Sequence, residues 1–144
     1  MWLLSTDRAE LHNFADHLAV PDGGYAILSH TWTDREQTFQ DVQAIRARCR
    51  LIGANPRKYV SEKIRRSCML AESYGYKWIW IDTCCIDKTS SSDLSEAINS
   101  MFNWYAFAEV CFAYLADVPK DCEDRKSTRL NSSHSGESRM PSSA

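Results

Sequence analysis

Two short runs, WIWI at residues 78–81 and VCFAYLA at residues 110–116, contain no charged or strongly polar side chain. A strand apolar on both faces needs cover on both faces, the condition of a central strand in a sheet flanked by helices. Between the runs, Leu94, Ala97, Ile98, Met101, Phe102 and Tyr105 fall at i, i+3, i+4, i+7, i+8 and i+11, the spacing of an amphipathic helix. Asp93 with Glu96 three residues on fits a capping box at its start. Upstream, Val60, Ile64, Cys68 and Ala71 mark another helix, and Gly75 sits where a left-handed C-cap is favoured. A turn at Pro21, Asp22, Gly23 and Gly24 leads into YAILS at residues 25–29, a buried strand. Residues 38–45 read as a short helix, residues 2–4 as an edge strand, and residues 10–14 as strand or turn. Helix and strand in alternation imply right-handed crossovers, so the expected class is α/β, a mostly parallel sheet flanked by helices.

In such sheets ligands gather outside the carboxyl ends of the strands. Two polar segments are expected there: residues 29–34 (SHTWTD) and 82–88 (DTCCIDK). They nominate Ser29, His30, Trp32 and Cys85 as ligand-contacting residues. Asp82 and Glu96 are the acids able to do chemistry. Each has a plainer reading. Glu96 can cap its helix, Asp82 can bond loop amides, Trp32 and Cys85 can pack, and Ser29 can serve as a strand-end donor. Asp87 and Lys88 read as a solvated pair. Trp78, Trp80, Phe102, Trp104 and Tyr105 read as core. No GxGxxG, Walker A, HExxH or GxSxG motif is present.

Composition removes whole classes. A net charge of −2 leaves no basic excess for a nucleic-acid face. No apolar run approaches the roughly 20 residues of a membrane span. The first residues lack the basic and apolar regions of a signal peptide, so the chain is read as cytoplasmic. The six cysteines show neither CxxC nor zinc spacing and are expected to be reduced thiols; no metal site is expected. From Asp124 to Ala144, 7 of 21 residues are Ser and only Leu130, Met140 and Ala144 are apolar. That composition cannot offset its ordering entropy, so residues 119–144 are expected to be a disordered tail. Residues 124–144 also resemble a translated sequencing adapter and are set aside from the fold.

Residues 25–32 (YAILSHTW), 80–88 (WIDTCCIDK), 95–101 (SEAINSM) and Trp104 with Tyr105 resemble the blocks of the fungal heterokaryon-incompatibility (HET) domain. The likeness covers residues 25–118, with residues 1–24 as a lead-in. Thr33 stands where the family often has Gly, and nothing after Val118 resembles the family's further Trp-containing block. The resemblance therefore implies a domain incomplete at its C-terminus. It implies a role in fungal self/non-self recognition and cell death, through protein partners: other incompatibility proteins or further copies of itself. HET domains are also distantly similar to the flavodoxin-like Toll/interleukin-1-receptor (TIR) fold. That likeness implies an alternative, NAD hydrolysis, in which NAD is a substrate rather than a resident cofactor and Glu96 is the essential acid.

Overall fold

The structure, a computed structural model, describes residues 1–21 and 23–115. The expected disordered tail, the adapter-like segment and Ala116 lie outside the described residues. Five strands, β1 (Trp2–Ser5), β2 (Leu11–Asn13), β3 (Ala26–His30), β4 (Trp78–Ile81) and β5 (Val110–Tyr114), form one sheet in the order β2-β1-β4-β3-β5. Among the described residues three α-helices accompany it: α1 (Phe39–Ile52), α2 (Glu62–Ser73) and α3 (Ser91–Phe107).

The α/β class holds, and the sheet is mixed. β3 runs parallel to β4 and to β5, whereas β1 is antiparallel to both β4 and β2. The expectation of a mostly parallel sheet fails at this N-terminal hairpin, because its connection of five residues (6–10) is too short for a crossover. Residues 2–4 are likewise not an edge: β1 lies between β2 and β4, and Leu3 and Leu4 are fully buried.

Side-chain alternation sorts the residues onto two faces. Leu28, Ile79, Ile81 and Phe112 share one face; Leu3, Ile27, Trp80 and Cys111 share the other. The first face is covered by α1 and α2, shown by ring contacts of Phe39 with Trp2 and of Tyr74 with Phe112. The second face is covered by α3, whose Trp104 and Tyr105 meet Trp80 at ring separations of 5.6 and 6.0 Å. Tyr25 ties α3 to the sheet by donating its buried hydroxyl to the Trp104 carbonyl at 2.6 Å. Burial, reinforced by nearby Glu109, pushes the Tyr25 phenol pKa well up and keeps it a donor.

Local signals explain the helix ends. Thr38 and Asp41 form a reciprocal capping box for α1, which continues past Ile45 to a left-handed Gly53. Gly75 takes φ +93°, and the Tyr76 amide beyond it donates to the Ala71 carbonyl at 3.0 Å, closing α2 as expected. At α3 the expected Asp93–Glu96 box is replaced. Ser90 is the N-cap, its hydroxyl accepting from the Asp93 amide at 3.3 Å, because the helix begins three residues earlier.

Trp80 is fully buried at the crossing of β4 and α3. Trp80→Ala is expected to cost about 3–5 kcal/mol, and Tyr25→Phe about 1 kcal/mol. Urea unfolding of both variants against the parent checks that order.

Candidate functional site

The C-terminal ends of β3 and β4 present His30 and Asp82 side by side. The His30 Nε2 and Asp82 Oδ1 atoms are 2.8 Å apart. Trp32, half exposed in the loop after β3, donates its indole N–H to Asp82 Oδ2 at 3.1 Å. Behind them α2 contributes Lys63, whose ammonium reaches His30 Nδ1 at 3.0 Å, the Thr31 carbonyl at 3.1 Å and Glu36 Oε2 at 2.5 Å. Glu36 also accepts from the Thr33 amide at 2.8 Å. Lys88 caps the other end: it donates to the Asp82 carbonyl at 2.9 Å and lies 5.1 Å over the Trp32 ring.

This continuous chain runs Glu36–Lys63–His30–Asp82–Trp32. It dictates the histidine's tautomer. An ammonium only donates, so His30 Nδ1 must accept from Lys63, and the ring proton sits on Nε2 and points at Asp82. The His30 side chain is 1% exposed, and Lys63, Glu36 and Asp82 are 11%, 14% and 23% exposed. Groups this deep must be paired, and all three ammonium protons of Lys63 find acceptors. The network therefore locks the β3–α1 loop, the β4–α3 loop and the start of α2 into one fixed lip. Burial alone would raise the Asp82 carboxyl, but hydrogen bonds from His30 and Trp32, together with the Lys88 ammonium, hold it below the usual range. For Glu36, burial is likewise outweighed by the hydrogen bond and charge of Lys63 and by the Thr33 amide.

His30, Asp82 and Trp32 are thus brought together. Ser29 is level with them but exposed on the opposite face of the sheet. Cys85 is core: 2% exposed, its sulfur accepting from the Ile81 amide at 3.4 Å. Its neighbour Cys84 is fully buried, with its thiol pKa raised by a hydrogen bond to Cys85 and by burial. No disulfide joins the five described cysteines, and no group of His, Cys, Asp and Glu among the described residues could hold a metal ion. Glu96 sits at the same end of the sheet but beside β1. Its carboxylate is 3.6 Å from the Met1 ammonium, and no described hydrogen bond or ion pair joins it to His30 or Asp82. The cavity between Glu96, Cys85, Trp2 and Trp104 is only about 10 Å³. Larger cavities of about 610 and 430 Å³ are lined by none of the nominated residues.

Two sequence readings change. Asp87 and Lys88 lie at the surface as expected but do not pair with each other: Asp87 accepts from Gln40 at 2.8 Å, while Lys88 serves the Asp82–Trp32 corner. Phe102 is 79% exposed rather than core. Lys63 and Glu36, which complete the network, escaped the sequence reading. The one local hint is that Lys63 lies a turn before buried Ser67, at the margin of the α2 stripe.

Because both carboxyls are depressed in the folded chain, their contribution to stability is present in full above the ordinary carboxylate range. It is lost as pH falls through the lowered values. Denaturation midpoints should therefore drop on acidification below about pH 4, and Asp82→Asn should flatten that limb while lowering stability at neutral pH. An unchanged acid limb in Asp82→Asn would show that the carboxylate is not held by its partners.

Comparison with known proteins follows the same residues. The profile described as heterokaryon incompatibility protein (HET) matches residues 25–143. The vegetative incompatibility protein HET-E-1 of Podospora anserina is 44% identical over 102 residues, covering 69% of this chain. The chain spans 7% of that relative's length. No solved structure matches. No helix among the described residues is long and apolar enough to cross a membrane. The rim that carries His30, Trp32 and Asp82 is thus the rim of a HET domain, and the chain belongs to the heterokaryon incompatibility family.

Proposed function

We propose that this domain serves fungal self/non-self recognition as a cytoplasmic signalling module that acts by assembly with other protein surfaces and triggers programmed cell death. The observation that carries the reading is the outward face of α3. Ile98 is 66% exposed and Phe102 79%, on a helix that contains no Lys or Arg. Large exposed apolar side chains clustered on one element mark contact surfaces. The braced lip supports the same reading from the other side. Its donors and acceptors are spent on one another, which suits a rigid scaffold better than a site that must bind and release a substrate.

Hydrolysis of NAD with Glu96 as the acid draws less support. The three-strand parallel half, β4-β3-β5, with helices on both faces is what a TIR-like kinship would require, and the antiparallel β1–β2 hairpin departs from it. Glu96 faces the Met1 ammonium and a cavity too small for a nucleotide.

The test expresses the full-length protein carrying this domain in a fungal host and scores vital-dye uptake. Death is expected with the parent and a marked loss of it with an Ile98→Ser, Phe102→Ser double variant whose circular dichroism is unchanged. Undiminished death from the folded double variant would overturn assembly through this face. Incubation with NAD is expected to release no nicotinamide; release abolished by Glu96→Ala would put the hydrolase in place of the assembly module.

A further inference from the structure

Away from the rim, the cavity of about 430 Å³ lies beside the C-terminal half of α1, lined by Gln37, Ile45, Arg48, Cys49, Ile52 and Tyr59. Its volume falls within the ~300–1,000 Å³ of small-molecule sites. Ile45, Arg48, Cys49 and Ile52 stand at i, i+3, i+4 and i+7, so one stripe of α1 forms a wall. That stripe is apolar except at Arg48. Tyr59, from the connection between α1 and α2, adds a ring, and Gln37, just before α1, adds an amide.

The polar groups of this lining offer donors. Gln37 Oε1 is engaged, accepting from the Ser61 amide at 2.7 Å, which leaves the Gln37 NH2 group to donate. Among the described residues the Arg48 guanidinium has no hydrogen bond, ion pair or ring contact, and the Tyr59 hydroxyl has no hydrogen bond. Nearby arginines are committed elsewhere: Arg46 donates to the Leu11 carbonyl at 3.2 Å and Arg57 to Glu72 at 2.6 Å. No carboxylate lines the cavity. The larger cavity of about 610 Å³ differs in this respect, since its Arg8 and Glu10 answer each other at 3.0 Å.

We propose that the α1 cavity binds a small monocarboxylate with an apolar body. The Arg48 guanidinium holds the carboxylate, Gln37 and Tyr59 supply further donors, and Ile45, Ile52 and the Tyr59 ring cover the body. A planar guanidinium fork matches a carboxylate, and one fixed positive charge balances one negative charge. A phosphate dianion would bring a second charge against an apolar wall with no second cation to meet it. The site lies on the sheet face that α1 covers, opposite α3, so it stands apart from the assembly reading.

Isothermal titration calorimetry of the 144-residue chain with octanoate at neutral pH tests this. Saturable one-to-one binding is expected. Octanol, which lacks the charge, and acetate, which lacks the body, are each expected to bind at least about tenfold more weakly. Arg48 is exposed, so Arg48→Gln should keep the parent's circular dichroism spectrum. That variant is expected to lose about tenfold in octanoate affinity and nothing in octanol affinity. Ile52→Asp, which sets a carboxylate in the wall, should also weaken octanoate. No saturable heat at millimolar octanoate, octanol binding as tightly as octanoate, or a folded Arg48→Gln that binds octanoate like the parent would each overturn the site. Octyl phosphate binding more tightly than octanoate would overturn the assignment to a monocarboxylate.

Discussion

Pairing of Ala26 with Ile79, Ile27 with Trp80 and Leu28 with Ile81 sets the position of every group at the rim. Continued one step, that register brings Asp82 level with Ser29 and one place short of His30. The carboxylate leaving β4 can then turn under the imidazole leaving β3. A slip of one residue would reverse which face each side chain of β4 occupies, driving Ile79 and Ile81 out of the core that α1 and α2 cover. The polar network is therefore a consequence of apolar packing. Burial of Ile27, Leu28, Ile79, Trp80 and Ile81 fixes the register, and the register presents the partners.

Once presented, the partners constrain one another. Lys63 forces the tautomer of His30, the tautomer aims a proton at Asp82, and Asp82 orients Trp32 under Lys88. Removing any one member would leave the next buried without its partner, which costs more than the net gain of forming the bond. The lip therefore stays in one arrangement, and α2, which carries Lys63, is held to it. A rigid edge and an unevenly covered sheet are complementary features. The first keeps the domain's shape, and among the described residues the second leaves Ile98 and Phe102 exposed on α3.

Strands and helices were legible wherever apolar periodicity was strong. WIWI announced β4, VCFAY announced β5, and the spacing of Val60, Ile64, Cys68 and Ala71 announced α2. That the segments bearing His30 and Asp82 share one rim followed from the crossover rule, whereas their direct contact did not. Other features hid because they depend on partners far along the chain. Residues 2–4 look like an edge by length alone, and only pairing with β4 and β2 makes them central. Phe102 looks like core from its spacing, yet the core takes one flank of α3, centred on Ala97 and Trp104, and leaves Phe102 outside. Glu36 carries no local mark of burial, and Lys63 only its place at the stripe's margin, where a lysine reads as solvated until a carboxylate 27 positions earlier is folded against it.

By itself the chain's order of residues determined the alternation of elements, the left-handed turn at Gly75, the family blocks and the presence of His30, Trp32 and Asp82 at or just past strand ends. These are short-range matters, decided by side-chain periodicity and backbone preference within a few residues. Only the tertiary structure decided the antiparallel placement of β1, the separation of Glu96 from the His30–Asp82 pair, and the exposed flank of α3. Each of those depends on which apolar surfaces bury each other across the sheet, and contacts between distant residues leave no periodic trace in either partner's own segment.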